Sequence, residues 1–158
     1  MNAAANNLIK EFCQSIGMDP LGLDEENQRS LAFDDKLVVT FIGNETDFVT
    51  ALCFIADSTG HPDILRKALE QNFLAEAHGG GRFSLEPNSD RIILTRHWNA
   101  VKTTIPEFSD ELEAFVNSGM QAQQFINDVI AGTIDKGANN TTTEGAPVDS
   151  LTAAYQTI

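Results

Sequence analysis

The hydrophobic positions of this 158-residue chain change their spacing along the sequence, and each spacing predicts a kind of element. From Ala3 to Ile16 the apolar residues recur at helical intervals, which is typical of a helix with one buried stripe. Between residues 30 and 55 they alternate in three runs joined by short polar turns, which predicts an antiparallel meander. In the second and third runs both sets of alternating positions are largely apolar, so both faces of these strands need a cover. Three helices could cover both faces, or a second subunit or an extended partner could cover one of them.

Helical spacing returns after Pro62, and the apolar positions of this second helix are Ile64, Leu65, Ala68, Leu69 and Phe73. A hairpin is predicted to pair residues 82–86 with residues 91–98 across a polar turn. Thr104 and Glu107 have the spacing of a capping box and open a long third helix, and Gly119 weakens its middle enough to allow a break. The element order α-βββ-α-ββ-α predicts an α+β sandwich, with helices packed on a mostly antiparallel twisted sheet.

The composition changes after Gly132, where large apolar residues become rare and Asn, Thr, Gly and Ala predominate. We expect one folded domain over residues 1–132 and a disordered C-terminal tail over residues 133–158. Within that tail Leu151, Tyr155 and Ile158 have the spacing of one helical face, so a short docking helix is the alternative interpretation.

The charge of the chain is strongly acidic, with 10 Lys and Arg against 23 Asp and Glu and a formal net charge of −13. This balance argues against binding to nucleic acid or to an anionic membrane surface, and it suits a soluble protein or one with a basic partner. The sequence shows neither a signal peptide nor an apolar run long enough to cross a membrane. Cys13 and Cys53, its two cysteines, are each set among apolar residues. We therefore expect a cytoplasmic protein with buried reduced thiols.

Candidate chemistry is sparse. The segment His78-Gly79-Gly80-Gly81 resembles the oxyanion-hole loop of some esterases, but the serine elbow that such enzymes require is missing from the sequence. The three histidines, His61, His78 and His97, stand apart and lack the spacing of metal ligands. We expect no catalytic, cofactor or metal site, and a small hydrolase that uses His78 is a remote alternative.

Several segments in both halves of the chain share their element order and apolar spacing with one known family. These segments are Leu8-Ile9-Lys10-Glu11-Phe12, Ile16-Gly17-Met18, Leu21-Gly22-Leu23-Asp24, the Asp34-Asp35 turn with Leu37-Val38-Val39-Thr40-Phe41, the helix from Ile64 to Phe73, Phe83-Ser84-Leu85-Glu86 and Ile92-Ile93-Leu94. Through them residues 3–132 resemble the class I type III secretion chaperones, the Tir-chaperone (CesT-like) family, and among them the acidic HpaB-like general export chaperones. The family has no catalytic signature, so the resemblance consists of element order and apolar spacing.

The resemblance implies a cytoplasmic homodimer without enzymatic activity. Such proteins bind the N-terminal region of secreted effectors in extended form and present it to the secretion apparatus, often through its ATPase. The candidate effector-binding residues are Leu8, Phe12, Leu31, Phe33, Val39 and Phe41, each of which would also suit the core. The candidate dimer-interface residues are Ile64, Leu65, Leu69, Phe73 and Trp98, although the second helix could equally pack on its own sheet. An interaction or regulatory protein of the same fold without a secretion role, similar to the YbjN-like proteins, is the main alternative.

Overall fold

The computed structural model describes residues 2–132, and the element order of this part is the predicted α-βββ-α-ββ-α. A 3₁₀ segment, Asn72–His78, follows the second helix. The elements are α1 (Ala3–Ser15), β1 (Gln28–Phe33), β2 (Leu37–Gly43), β3 (Phe48–Asp57), α2 (Pro62–Gln71), β4 (Arg82–Leu85), β5 (Arg91–Asn99) and α3 (Ile105–Ile130). The predicted tail over residues 133–158, with its alternative helix at Leu151, Tyr155 and Ile158, lies outside the described residues.

The five strands form one sheet in the order β1-β2-β3-β5-β4, and every neighbouring pair is antiparallel. The first three strands are the predicted meander, because short polar turns allow consecutive strands to pair directly. After α2 the chain returns through β4 at the far edge and then through β5, which fills the place beside β3. The two edges of the sheet are therefore β1 and β4.

The helices cover one face of the sheet, which we call the inner face. Successive side chains of a strand point to opposite faces, and on the inner face those of β2, β3 and β5 are almost all buried. Both α1 and α3 pack against this face, and α2 packs beside β4. The inner-face core of these strands is Leu37, Val39, Phe41, Val49, Ala51, Cys53, Ile55, Ile92, Leu94 and Trp98. Within residues 2–132 the helices cover only this one of the two apolar faces.

Aromatic rings fill the centre of the helical layer. The ring of Phe108 lies edge-on to Phe12 at 5.3 Å and to Trp98 at 5.0 Å between centroids. Phe41 and Phe115 complete the cluster, at 6.2 Å from Phe108 and from Trp98 respectively. Because edge-to-face pairs are favourable beyond the area they bury, this cluster joins α1, β2, β5 and α3 into one core.

The long third helix confirms one sequence prediction and corrects another. Thr104 caps it as predicted, with its side chain and that of Glu107 bonded reciprocally to each other's backbone N–H groups. The helix continues without a break through Gly119. A Cβ at Gly119 would lie 2.9 Å from a methyl of Leu37 and 3.0 Å from the Cys53 sulfur, so this glycine lets α3 lie close to the sheet.

Candidate functional site

The second face of the sheet, here called the outer face, has no helix over it in the described part of the chain. It combines apolar and hydroxyl side chains with one histidine. On β1, β2, β3 and β5 the central residues of the outer face are Ser30, Ala32, Val38, Thr40, Ile42, Phe48, Thr50, Leu52, Phe54, Ile93, Thr95 and His97, and Arg82 and Ser84 of β4 continue it. It follows directly from the alternation on β2 and β3, because each residue next to a core position points away from the helices.

Apolar groups on the outer face reach solvent although they lie in the middle strands. Val38 is 56% exposed, and Phe48 and Phe54 are also exposed. The Arg91 guanidinium lies 4.8 Å from the centroid of the Phe54 ring, which leaves the rest of that ring open. A contiguous surface of this composition is typical of a site that contacts another polypeptide.

The polar residues of the outer face bond to one another across strands. Ser30 and Thr40 share a hydrogen bond of 2.8 Å between their hydroxyls, and Thr50 is joined to the ring of His97 at 2.8 Å. These cross-strand pairs satisfy polar groups of the surface. A ligand on this part of the face therefore meets polar side chains that are already bonded to one another.

The β1 edge of the sheet is open for strand pairing. The backbone N–H and C=O of Gln28 point away from β2, because both bond to Asp24, at 3.0 Å and 2.9 Å. In an antiparallel ladder every second residue has this orientation, so the backbone groups of Ser30 and Ala32 also point outward. Within the described residues neither of these two has a hydrogen-bond partner on that side.

The opposite edge, at β4, is partly closed by a side chain. The Asn72 amide accepts a hydrogen bond from the N–H of Phe83 at 2.7 Å and donates one to its C=O at 2.9 Å. Asn72 thus occupies the backbone positions that a further strand would use at Phe83, whereas Leu85 is the other residue of β4 that points outward. The longer edge available to a partner is consequently β1.

Five of the six predicted effector-binding residues lie in the core of this chain. Leu8, Phe12, Leu31, Val39 and Phe41 are buried, and Phe33 is half-buried. The sequence prediction left out the residues next to Leu31, Phe33, Val39 and Phe41 on β1 and β2, which point to the outer face. The apolar alternation on both faces was the signal for them, but it does not say which face the helices cover.

The predicted dimer-interface residues are divided between core and surface. Ile64 and Trp98 are buried and Leu65 is half-buried, whereas Leu69 is exposed. Phe73, predicted as part of the helix, lies instead on the 3₁₀ segment and is 93% exposed. Leu74 and Leu85, which were not predicted, are exposed on the same side of the molecule as Leu69 and Phe73, because α2 and the 3₁₀ segment pack beside β4. The resulting α2–β4 patch consists of Leu69, Phe73, Leu74 and Leu85.

The His78-Gly79-Gly80-Gly81 segment has a structural explanation. The His78 ring is fully buried and lies edge-on to Phe83 at 5.1 Å between centroids. Burial lowers the pKa of His78, and a hydrogen bond to the Gln71 backbone opposes this change. A substrate cannot reach the ring in this position, which removes the basis for the hydrolase alternative. Gly79 and Gly80 have positive φ values of 57° and 71° and turn the chain into β4.

The cysteines and the acidic residues do not form a reactive centre within residues 2–132. Burial raises the pKa of the Cys53 thiol to about 12, and burial also raises that of Cys13. A thiol with a raised pKa is a poor nucleophile and a poor metal ligand. In the same part of the chain, groups of three His, Cys, Asp or Glu that could hold a metal ion do not occur. None of the described helices is long and apolar enough to span a membrane.

Comparison with known proteins gives one family and a consistent set of folds. The model of the Tir chaperone protein (CesT) family matches residues 7–123. The ExsC–ExsE complex contains a similar structure, with a TM-score of 0.66 and 22% identity over 78% of this chain and 94% of that one. The HopA1–SchA chaperone–effector complex gives a TM-score of 0.67 and 16% identity over 78% and 95%. The type III secretion chaperone SycH of Yersinia pestis, in complex with a fragment of YscM2, gives 0.60 and 19% over 75% and 98%. No curated protein matches the sequence.

Proposed function

Because the chain belongs to the Tir chaperone protein (CesT) family, we propose that it is a type III secretion chaperone for effector proteins. It binds the N-terminal segment of an effector in extended form, keeps that segment soluble and competent for secretion, and delivers it to the secretion apparatus. Similar structures come from complexes such as HopA1–SchA, whose partners are a chaperone and an effector. The chain performs this role by binding alone, without a catalytic step.

The observation that carries this proposal is an open strand edge beside an uncovered apolar face. An extended segment that pairs with β1 would find unpaired backbone groups at Ser30 and Ala32. Every second side chain of that segment would then point towards the outer face, where Val38 is exposed beside β1. Backbone pairing gives affinity for many sequences, and the apolar face favours segments with apolar residues at alternate positions.

The net charge of −13 contributes at longer range. A basic or polar N-terminal segment is attracted to an acidic chaperone before any contact forms, which raises the association rate. Salt should therefore slow association, while the lifetime of the bound state depends on the strand pairing and apolar contacts.

We propose that the chaperone is a homodimer joined through the α2–β4 patch. Phe73 makes almost no contact within its own chain, since 93% of it is exposed. An aromatic side chain in this situation is a typical anchor of a protein interface. The patch lies next to the β4 edge, which Asn72 partly closes, so a dimer formed there leaves the β1 edge free.

Coexpression with candidate effectors tests the chaperone function. The chain is coexpressed with the N-terminal segments of the proteins that its own host secretes, and recovery of each segment is measured by affinity purification. The edge variant is Ala32→Pro, which removes the outward N–H, and the matched control Ala32→Val keeps it. We expect the control to recover at least one segment as well as the unmodified chain does. We expect the proline variant to recover at least about fivefold less.

Two results would count against this function. Failure of every secreted N-terminal segment to copurify would remove the chaperone role and leave the regulatory alternative. Equal recovery by the proline and valine variants would show that effectors bind elsewhere than at the β1 edge. A circular dichroism spectrum of each variant establishes beforehand that the fold is intact.

Light scattering tests the dimer separately. Phe73→Ser should weaken self-association by about 2 kcal/mol, which is roughly thirtyfold in the dissociation constant. Val101→Ser is the control, because Val101 is an exposed apolar residue outside the α2–β4 patch. A monomeric mass for the unmodified chain at micromolar concentration, or equal masses for both variants, would refute this interface.

A further inference from the structure

An acidic groove lies in the helical layer, between the 3₁₀ segment and α3. Its volume is about 730 Å³, within the range of sites that enclose a ligand or a short peptide segment. Glu76 forms one wall, and Asp110, Glu113 and Ser118 belong to the stripe of α3 that forms the other. These residues are on the opposite side of the sheet from the outer face, so the groove is distinct from the effector surface proposed above.

The groove is shaped by a close backbone contact. Gly79 lies so near α3 that a Cβ on it would be 2.6 Å from the carbonyl carbon of Ala114. The carbonyl of Gly79 also accepts a hydrogen bond from Arg96, which in turn forms an ion pair with Glu111 at 2.5 Å. The floor of the groove is thus fixed by packing and by a charged network, so its shape does not depend on a ligand.

Three carboxylates face this space without compensating cations. Glu76, Asp110 and Glu113 are exposed, and the ion pairs found within residues 2–132 all involve other residues. In a chain with 10 basic and 23 acidic residues, few cations of its own are available to them. Unpaired charges of one sign on the walls of a cleft give a focused negative potential.

A polar side chain deeper in the same wall also lacks a partner. Ser118 is only 7% exposed and lines the groove, yet its hydroxyl forms no hydrogen bond within the described residues. The hydroxyl is open to the groove, so a polar group that enters the groove could bond to it. Ser118 thus offers an occupant an uncharged hydrogen-bonding group beside the carboxylates.

The spacing of the carboxylates indicates what the occupant is. No group of three acidic, histidine or cysteine residues in residues 2–132 is close enough to hold one metal ion. Separated carboxylates instead fit cations spread along a chain, as the lysine and arginine side chains of a polypeptide are. We propose that the acidic groove is a docking site for a basic segment of a partner protein. Its position also lets it be filled while an effector occupies the outer face, a consequence that rests on the proposed function.

A labelled basic peptide tests the groove directly. Binding of a fluorescein-labelled peptide of alternating lysine and serine is measured by fluorescence anisotropy, with a glutamate–serine peptide as the negative probe. The groove variant is Glu76→Gln with Asp110→Asn and Glu113→Gln. The matched control is Glu11→Gln with Asp19→Asn and Glu25→Gln, which changes the net charge equally at exposed residues outside the groove. No effector is present, so failure here is separate from failure of the chaperone function.

We expect the groove variant to bind the lysine peptide about tenfold more weakly and the control about twofold more weakly at most. A second variant, Ala114→Lys, keeps the carboxylates and supplies them with a cation from the exposed surface of α3, and it should weaken binding to a similar extent. Equal weakening in the groove and control triple variants would overturn the proposal, because the attraction would then come from the overall charge. A change in the oligomer mass of the groove variant would also overturn it, by identifying a second copy as the occupant.

Discussion

Replacement of Gly79 by alanine should destabilise the protein more than the same replacement at two other glycines. Gly79, Gly17 and Gly60 all have positive φ values, of 57°, 78° and 77°. A Cβ at Gly79 would lie 2.6 Å from the backbone nitrogen of Phe115 and 2.7 Å from the carbonyl oxygen of Ala114. At Gly17 and Gly60 nothing lies within 4 Å of such a Cβ. All three variants therefore place an alanine in the left-handed region, and only Gly79→Ala also brings its Cβ against the backbone of α3.

The shared cost is that of holding an alanine in the left-handed region, about 1–2 kcal/mol. The additional cost at Gly79 is overpacking, about 1–3 kcal/mol, because the backbone of α3 cannot rotate out of the way as a side chain could. Gly79→Ala should thus lower the free energy of unfolding by about 2–5 kcal/mol. A loss of this size is a large part of the roughly 5–15 kcal/mol that stabilises an ordinary domain.

Urea unfolding measures this difference. Trp98 is the only tryptophan and is buried under α3, so its fluorescence reports on the region that Gly79 contacts. The protein concentration is kept the same throughout, because self-association would shift the midpoints. A lower midpoint with an unchanged slope gives the loss of stability. If Gly79→Ala lowers the free energy of unfolding no more than Gly17→Ala or Gly60→Ala does, this loop does not pack closely on α3.

Four further predictions concern α3 and the thiols. Thr104→Ala should cost about 1 kcal/mol in thermal or urea unfolding, because it removes the helix cap. Hydrogen bonds from the Thr104 backbone N–H, and secondly from its hydroxyl, lower the pKa of Glu107. The stability from this contact should therefore be lost as the pH falls through that lowered pKa. A series of thermal melts at decreasing pH that showed no such loss would contradict the cap. Gly119→Val should cost about 1–3 kcal/mol by overpacking, whereas a neutral urea curve would mean that α3 can move away from the sheet. Cys53 should resist alkylation at mildly alkaline pH and Cys13 should react slowly, and prompt labelling of both in the folded protein would show that the core opens readily.

Local periodicity predicted the elements well. The alternation in β2 and β3 and the capping box at Thr104 depend on neighbouring residues only, so the sequence contains the information needed to place them. The order of the elements and the antiparallel meander followed from short polar turns. The family could be identified on the same basis, because its likeness consists of element order and apolar spacing.

Features that depend on tertiary contacts could not be predicted from local periodicity. Both faces of β2 are apolar, and only the packing of α1 and α3 makes Val39 a core residue and Val38 a surface residue. The helical spacing runs on to Phe73, yet the α-helix ends before it, and Asn72 turns its amide to the distant Phe83. Helix propensity treats Gly119 as a weak point of α3, whereas the close approach of the helix to the sheet requires a glycine there. Each error concerns a residue whose role depends on a partner far away in the sequence.

The difference between the two sheet edges limits how copies of this protein can assemble. Edge-to-edge growth into a fibre needs two compatible edges on every molecule, so that each copy can accept one neighbour and offer itself to another. The Asn72 amide blocks part of one of these edges by bonding to both backbone groups of Phe83. Two copies could still pair through β1, but that contact is symmetric and uses the open edge of both molecules. Edge pairing among identical chains is therefore favoured at β1, where it stops at two copies, and the Asn72 amide hinders further growth through β4.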